Sequence, residues 1–298
     1  MPELPEVETT VRGLQTRVLN RAFVDVWTDW VKTIKKPASF NEFKKQLKNK
    51  KIKRIWRRAK NIIVELADNK SLLIHQKMTG HLLIGKWRTN GGKWKPEKEG
   101  PLNDPYNRFI HLIFFLDNGQ MLALSDARKF AKVELWNTED LLNSKAFKTL
   151  GPEPLDKNFV FGKFKKLFEN PAKGGQVKKG KVKQVIMDPY FIAGIGNIYS
   201  SEVLWVSKIH PEKNVAKLSL KELKSLYQAI IKVLKLGVDL GGESFSDYRK
   251  PDGSKGNFDT ERKVYKREGQ KCLRCGAKIK RIKVAQRSAF YCPHCQKL

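Results

Sequence analysis

The first six residues, Met1-Pro2-Glu3-Leu4-Pro5-Glu6, set a potential nucleophile beside two carboxylates. Initiator methionine is ordinarily removed when proline follows, which would leave the secondary amine of Pro2 as the α-amino group. Such an amine has a reference pKa of about 8, so part of it is neutral and nucleophilic near pH 7. Its attack on an aldehyde-like carbon gives an iminium cation directly, which is covalent catalysis of the Schiff-base type. Glu3 stands next to it as an acid or base. Met-Pro is also a plain trimming signal, so the chain start by itself suggests this chemistry without requiring it.

A second chemical group lies at the other end. All four cysteines fall there, as Cys272-x-x-Cys275 and Cys292-x-x-Cys295 with sixteen residues between the pairs. Two such knuckles on a short hairpin can place four thiolates around one tetrahedral Zn²⁺. Ile279, Ile282, Val284 and Phe290 alternate as a β-ribbon would. Four thiolates complete the coordination shell, so this ion would hold a fold rather than activate water. Arg281, Lys283 and Arg287 make the ribbon a basic finger. Between the two ends, Gly194-Ile195-Gly196-Asn197-Ile198-Tyr199 precedes a helical segment that Asn197 is expected to cap. Glycines before a helix let backbone N–H groups approach a phosphate. A tight interhelical turn explains the same residues, and the third glycine of the dinucleotide fingerprint is missing.

The charge indicates what these groups act on. The 298 residues carry 60 Lys and Arg against 30 Asp and Glu, a net charge of +30. Lys32–Lys60 holds 13 basic residues against Glu42, Lys157–Lys183 nine against Glu169, and Arg262–Arg287 eleven against Glu268. Trp and Phe are interleaved among them, which favours nucleic acid over a merely solvated surface. Hydrophobic residues at 40% support a real core. Apolar runs such as Leu112–Leu116 are too short to span a membrane. The acidic, amphipathic start is no secretory signal, so a cytoplasmic protein, monomeric by default, is expected.

Positioning these groups takes two kinds of structure. Val7, Val11, Leu14 and Val18 predict a helix over Pro5–Leu19. Short segments at Ala22–Thr28, Ile52–Trp56, Ile62–Leu66, Leu72–His75, Leu82–Ile84, Ile110–Leu116, Met121–Leu124 and Lys132–Trp136 predict an antiparallel sandwich or barrel. Asp117-Asn118-Gly119 marks a hairpin turn. Gly85–Asn107 reads as a long, mobile loop. After about Asn137, helices are predicted at Phe161–Phe168, Lys181–Asp188, Asn197–Val206 and Leu218–Leu236, followed by a Gly- and Ser-rich loop to Asp259. A β half followed by an α half suggests separate domains.

Taken together, these residues resemble the formamidopyrimidine-DNA glycosylase family of bifunctional base-excision repair enzymes. The resemblance runs through PELPEVET, RRAKNIIVEL around Lys60, HQKMTG around Met78, SDARKF, AGIGNIYSSEVLW followed by IHP, and CLRCG…AQRSAFYCPHCQ. It implies an α+β multidomain fold. A catalytic β-sandwich with its N-terminal helix would span 1–136. A helix–two-turn–helix domain would span 137–260, with a lesion-capping loop at 242–259, and a four-cysteine zinc finger with a β-hairpin would span 261–298. Pro2 would attack the anomeric carbon of the damaged nucleotide, with Glu3 transferring protons, Glu6 ordering the site and Lys60 binding phosphate from a hairpin turn. Met78, Arg128 and Phe130 would fill the gap left by the extruded base, while His75, Asn197, Tyr265 and Arg287 contact the DNA. Cys272, Cys275, Cys292 and Cys295 would bind one structural Zn²⁺. The substrate implied is double-stranded DNA containing 8-oxoguanine, formamidopyrimidines or abasic sites.

The sequence departs from the family pattern at Gln76 and Lys77, at Ala127, Lys129 and Ala131, at Ser246 and at Lys266, which bears on lesion preference and loop conformation more than on the reaction. Alternatives at this point are an endonuclease VIII-like glycosylase for oxidised pyrimidines, a non-catalytic protein binding lesions or abasic sites, and a zinc-ribbon RNA-binding protein. Leu4 and the Met78/Arg128/Phe130 set favour the purine branch. Intact Pro2 and Glu3 argue against the non-catalytic reading.

Overall fold

The computed structural model describes residues 1–169 and 180–298. The middle basic run, Lys157–Lys183, therefore lies partly outside the described residues. The chain forms two compact units, Met1–Lys148 with Val238–Asp259, and Thr149–Gly237 with Thr260–Leu298.

The first unit opens with α1 (Leu4–Val18), β1 (Phe23–Thr28), β2 (Ile34–Lys36) and α2 (Phe40–Leu47). Strands β3 (Ile52–Arg58), β4 (Asn61–Leu66), β5 (Lys70–His75) and β6 (His81–Gly85) follow, then β7 (Trp87–Asn90) and β8 (Lys93–Pro96). Strands β9 (Ile110–Leu116), β10 (Met121–Ser125) and β11 (Lys132–Asn137) complete it, with α3 (Thr138–Asn143) and α4 (Lys145–Lys148). They form a four-stranded sheet in the order β1-β9-β10-β6 and a five-stranded sheet in the order β2-β11-β5-β4-β3. Alternation decides which side chains meet between the sheets. Leu112, Phe114 and Leu116 of β9 and Ile62, Val64 and Leu66 of β4 join one core, closed by Val7, Val11, Leu14 and Val18 of α1 and by Phe43 and Leu47 of α2.

The outer faces are covered as well. Ile63 and Leu73 pack under Leu141 and Phe147. On the other sheet, Ile113 and Ala123 pack with Trp87, Leu102 and Trp94. The Gly85–Asn107 segment is therefore an ordered insertion and not the loose loop expected: β7 pairs with β8, and Trp94 lies edge-on against Trp27 and Phe115. Its apolar residues are few and scattered among Lys and Gly, so no periodicity betrays them, but one buried tryptophan face suffices to pin a hairpin.

The second unit holds α5 (Phe161–Glu169), α6 (Val182–Met187), α7 (Asn197–Val206) and α8 (Leu220–Asp239), whose last two residues belong to the first unit, then the ribbon β12 (Lys280–Val284) and β13 (Arg287–Tyr291). The carboxylate of Glu202 on α7 is buried and accepts the N–H groups of Lys263, Val264 and Tyr265 at 2.8, 3.0 and 2.8 Å. Burial raises its pKa, and these bonds work against the shift. Trp205 donates from Nε1 to Cys272 Sγ at 3.4 Å, and Gln296 donates to the Ile209 carbonyl at 2.9 Å. These bonds fasten the segments flanking the ribbon to α7 and to the turn that follows it.

Candidate active site and nucleic-acid interface

Pro2 is buried at the start of α1, followed by Glu3 at its N-cap. Glu3 and Glu6 form a capping box, in which Glu6 Oε2 accepts the Glu3 N–H at 2.7 Å. Both carboxylates are almost fully buried. The other oxygen of Glu6 accepts the N–H of Glu243 at 2.8 Å, and the Glu6 carbonyl accepts the Tyr248 hydroxyl at 3.0 Å. One side chain therefore links the segment carrying Pro2 to the 242–259 loop. Gly242 makes this approach possible: its φ is +84°, and a Cβ there would lie 2.9 Å from the Glu6 side chain. Sequence-based assignment puts this loop with the helices, but its bonds to α1 make it part of the first unit.

The α-amino group of Met1, one residue before Pro2, shares this environment. Burial lowers its pKa and Lys60 adds to the effect, while Glu3, Glu6 and Asp247 oppose it. Lys60 follows Ala59 in the two-residue turn between β3 and β4, with Ala59 at φ +53°. Arg57 fixes that turn to α1, donating from Nη1 to the Ala59 carbonyl at 2.9 Å and pairing with Glu8 at 3.0 Å.

His75 ends β5 opposite Lys132, and its Nδ1 accepts the N–H of Lys77 at 3.0 Å. Burial lowers its pKa to about 3, with Lys77, Lys132 and Lys60 adding to the shift. It is a neutral imidazole among cations. The next residue, Gln76, is buried with neither amide atom hydrogen-bonded. Met78 and Phe130 project into solvent, 37% and 52% exposed. Their loops are joined underneath by Asp126, which accepts the Thr79 hydroxyl, the Arg128 N–H at 3.3 Å and the Ala131 N–H at 2.7 Å. The Arg128 guanidinium lies 4.6 Å from the Phe130 ring centroid, and Lys129 adopts φ +56°. Two exposed apolar side chains and a cation on a buried carboxylate anchor suit insertion into a base stack.

In the second unit, Asn197 is the first residue of α7 and Gly196 the N-cap, so Asn197 does not cap the helix as expected. Its Oδ1 is buried without a hydrogen-bond partner. Its carbonyl instead accepts from Lys183 Nζ at 3.2 Å and the Ser201 hydroxyl at 3.0 Å. Lys183, fully buried, also donates to the hydroxyls of Ser200 and Ser201 at 2.7 and 2.9 Å, which sets its amine beneath the first turn of α7. Asn197, Tyr265, Lys266 and Arg281 line one cleft of about 370 Å³. Arg287, at the start of β13, lines another of about 500 Å³ with Gln184, Met187 and Asp188. The two expected phosphate contacts thus line two separate clefts rather than a single pocket. The Sγ atoms of Cys272, Cys275, Cys292 and Cys295 all lie within 4.8 Å of one another. Four thiolates about 2.3 Å from a common Zn²⁺ require separations close to ~3.8 Å, so the cluster fits that ion.

Sequence reasoning missed Glu243, Tyr248, Asp126 and Thr79. They act through bonds between distant segments, and no local pattern marks them.

Three family models match the chain: the formamidopyrimidine-DNA glycosylase N-terminal domain over residues 1–133, the formamidopyrimidine-DNA glycosylase H2TH domain over 150–249, and the zinc finger found in FPG and IleRS over 269–298. A formamidopyrimidine-DNA glycosylase of Desulforamulus reducens is 35% identical over 298 residues, covering 100% of this chain and 99% of the relative. The structure of Lactococcus lactis Fpg in complex with DNA containing Fapy-dG matches with a TM-score of 0.83 at 33% identity, over 99% of this chain and 100% of that one. A MutM complex with DNA containing carbocyclic 8-oxo-G matches with a TM-score of 0.83 at 33% identity over the whole of both chains.

Proposed function

The chain belongs to the formamidopyrimidine-DNA glycosylase family, and on that premise we propose how its own residues divide the work. It is a base-excision repair enzyme that removes oxidised purines from duplex DNA and cleaves the abasic site that remains. One structural Zn²⁺ belongs to its C-terminal finger. No helix among the described residues is long and apolar enough to cross a membrane, and residence in the cytoplasm beside the nucleoid goes with this reading.

The modules 1–136, 137–260 and 261–298 would serve catalysis, duplex binding and phosphate clamping. A base inside a duplex is out of reach, so it must be extruded at a cost of a few kcal/mol. Met78, Arg128 and Phe130 would occupy the space it leaves, while Asn197, Tyr265 and Arg287 grip flanking phosphates. The neutral His75 and the cation of Lys60 would face the DNA backbone. The nitrogen of Pro2 would then attack C1′, breaking the glycosidic bond, and the base would leave with a proton. Glu3 would pass a proton to O4′ as the sugar ring opens. The resulting iminium acidifies the C2′ proton, so the 3′ phosphate and then the 5′ phosphate are eliminated. Glu6, holding the Glu3 N–H, would keep the amine aimed.

The carrying observation is the buried Pro2-Glu3 start, held by the Glu6 carboxylate at the beginning of α1. Borohydride added during incubation with duplex containing 8-oxoguanine opposite C is expected to trap a covalent protein–DNA complex. Pro2→Gly serves as control, and an N-terminally tagged form should form no adduct. Absence of adduct with folded, Met-trimmed protein would overturn the lyase assignment.

A further inference from the structure

Arg249 is only 1% exposed, although it lies in a loop whose residues Phe245 and Ser246 face solvent. Its guanidinium pairs with the Asp104 carboxylate at 2.9 Å and stacks 4.7 Å from the Tyr106 ring centroid. Nη1 donates to the carbonyls of Ser246 and Tyr248 at 2.6 and 2.7 Å. One cation thus joins the tip of the 242–259 loop to the Gly85–Asn107 insertion. Asp104 is itself fixed, its Oδ1 accepting the Tyr106 N–H at 2.9 Å. Burial works to raise its pKa, but Arg249 and that N–H hold it below the usual carboxylate range.

A second set of contacts lies beside this one. Asn107 Nδ2 donates to the carbonyls of Pro101 and Gly253 at 2.9 and 3.1 Å, and its Oδ1 accepts from His81 Nε2 at 2.9 Å. Gly253 has φ +86°, and a Cβ there would lie 2.8 Å from the Pro101–Leu102 backbone. The Ile84 N–H donates to the Pro251 carbonyl at 2.7 Å. The loop is therefore held on one side by Glu6 and on the other by the insertion, while its tip at Phe245 and Ser246 is open to solvent.

We propose that the insertion is a dock for the 242–259 loop, and that Arg249 is the positioning residue that keeps Phe245–Asp247 ordered before a base arrives. This rests on the reading that the loop closes over an extruded base. A pre-ordered loop loses little conformational entropy on meeting its ligand, so the benefit falls on steps that involve the base. An abasic site has no base to cover.

The test compares single-turnover excision of 8-oxoguanine with strand cleavage at a preformed abasic site, alongside hydrogen exchange of the loop amides in the free protein. Arg249→Met and Asp104→Asn are each expected to slow excision about tenfold, leave abasic cleavage within about twofold, and speed exchange at Glu243 and Gly256. Asp104→Asn, which keeps the shape and removes the charge, decides the matter if Arg249→Met does not fold. A loop that stays protected, or excision at the parent rate with a loosened loop, overturns the proposal. Phe245→Ala tests the underlying reading separately: if it too leaves the ratio of excision to abasic cleavage at the parent value, the capping role fails whatever the exchange data show.

Discussion

At the scale of single residues, the site is built by burying charge and polarity that must then be satisfied. Glu6 accepts two backbone N–H groups, and neither would find water in its place. His75 shows the opposite solution, since it stays neutral. Its pKa of about 3 lies below the ordinary 6.5, so the folded state binds fewer protons than the unfolded state. The stability this contributes is fully present above pH 6.5 and is lost as pH falls toward 3. Thermal midpoints measured down through this window are expected to fall more steeply for the parent than for His75→Asn. Parallel curves would mean His75 does not titrate this way. The four cysteines were legible because their chemistry is carried by type and spacing, whereas Pro2 and Glu3 were singled out only with the family resemblance. Asp126 was not legible, because its role is defined by Thr79, Arg128 and Ala131 converging on it.

At the scale of elements, α1 follows the helical spacing of its apolar residues and the segments expected as strands all form, joined by the short unexpected β2, which pairs with β11 in parallel. The insertion was missed although a signal existed. Ile110–Leu116 is apolar at both alternating sets of positions, and a strand of that kind requires cover on both faces. The cover is β7–β8, with Trp94 packed on Trp27 and Phe115 at ring-centroid distances of 5.2 and 6.1 Å. Trp94→Ala is expected to destabilise the protein by about 2 kcal/mol, less than a fully buried tryptophan would because Trp94 is half-buried. Urea denaturation measures it, and an unchanged midpoint would show that the hairpin contributes no cover.

At the scale of the whole molecule, the +30 charge and the zinc finger set affinity for a polyanion. The finger shares a small core with α7, in which Trp205 of that helix packs with Val264, Ile279 and Phe290 around Cys272 and Cys292. So small a ribbon depends on its metal for folding. Chelation is expected to release one equivalent of zinc, abolish duplex binding and leave the cooperative unfolding of the β-sandwich unit in place. Retention of tight duplex binding after complete zinc loss would contradict this dependence.

The sequence alone determined the metal ligands, the polyanionic partner and the division into a β half and an α half. Each of these depends on residue type, on spacing along the chain or on summed charge. The tertiary structure decided that the 242–259 loop joins the β-rich unit, that the insertion is ordered, and that Gly196 rather than Asn197 caps α7. Those outcomes depend on which buried donors meet which acceptors across long stretches of chain, from Glu6 to Glu243 and from Asp104 to Arg249. Such pairings leave no periodicity in the sequence, because they are imposed only once the core has brought the segments together.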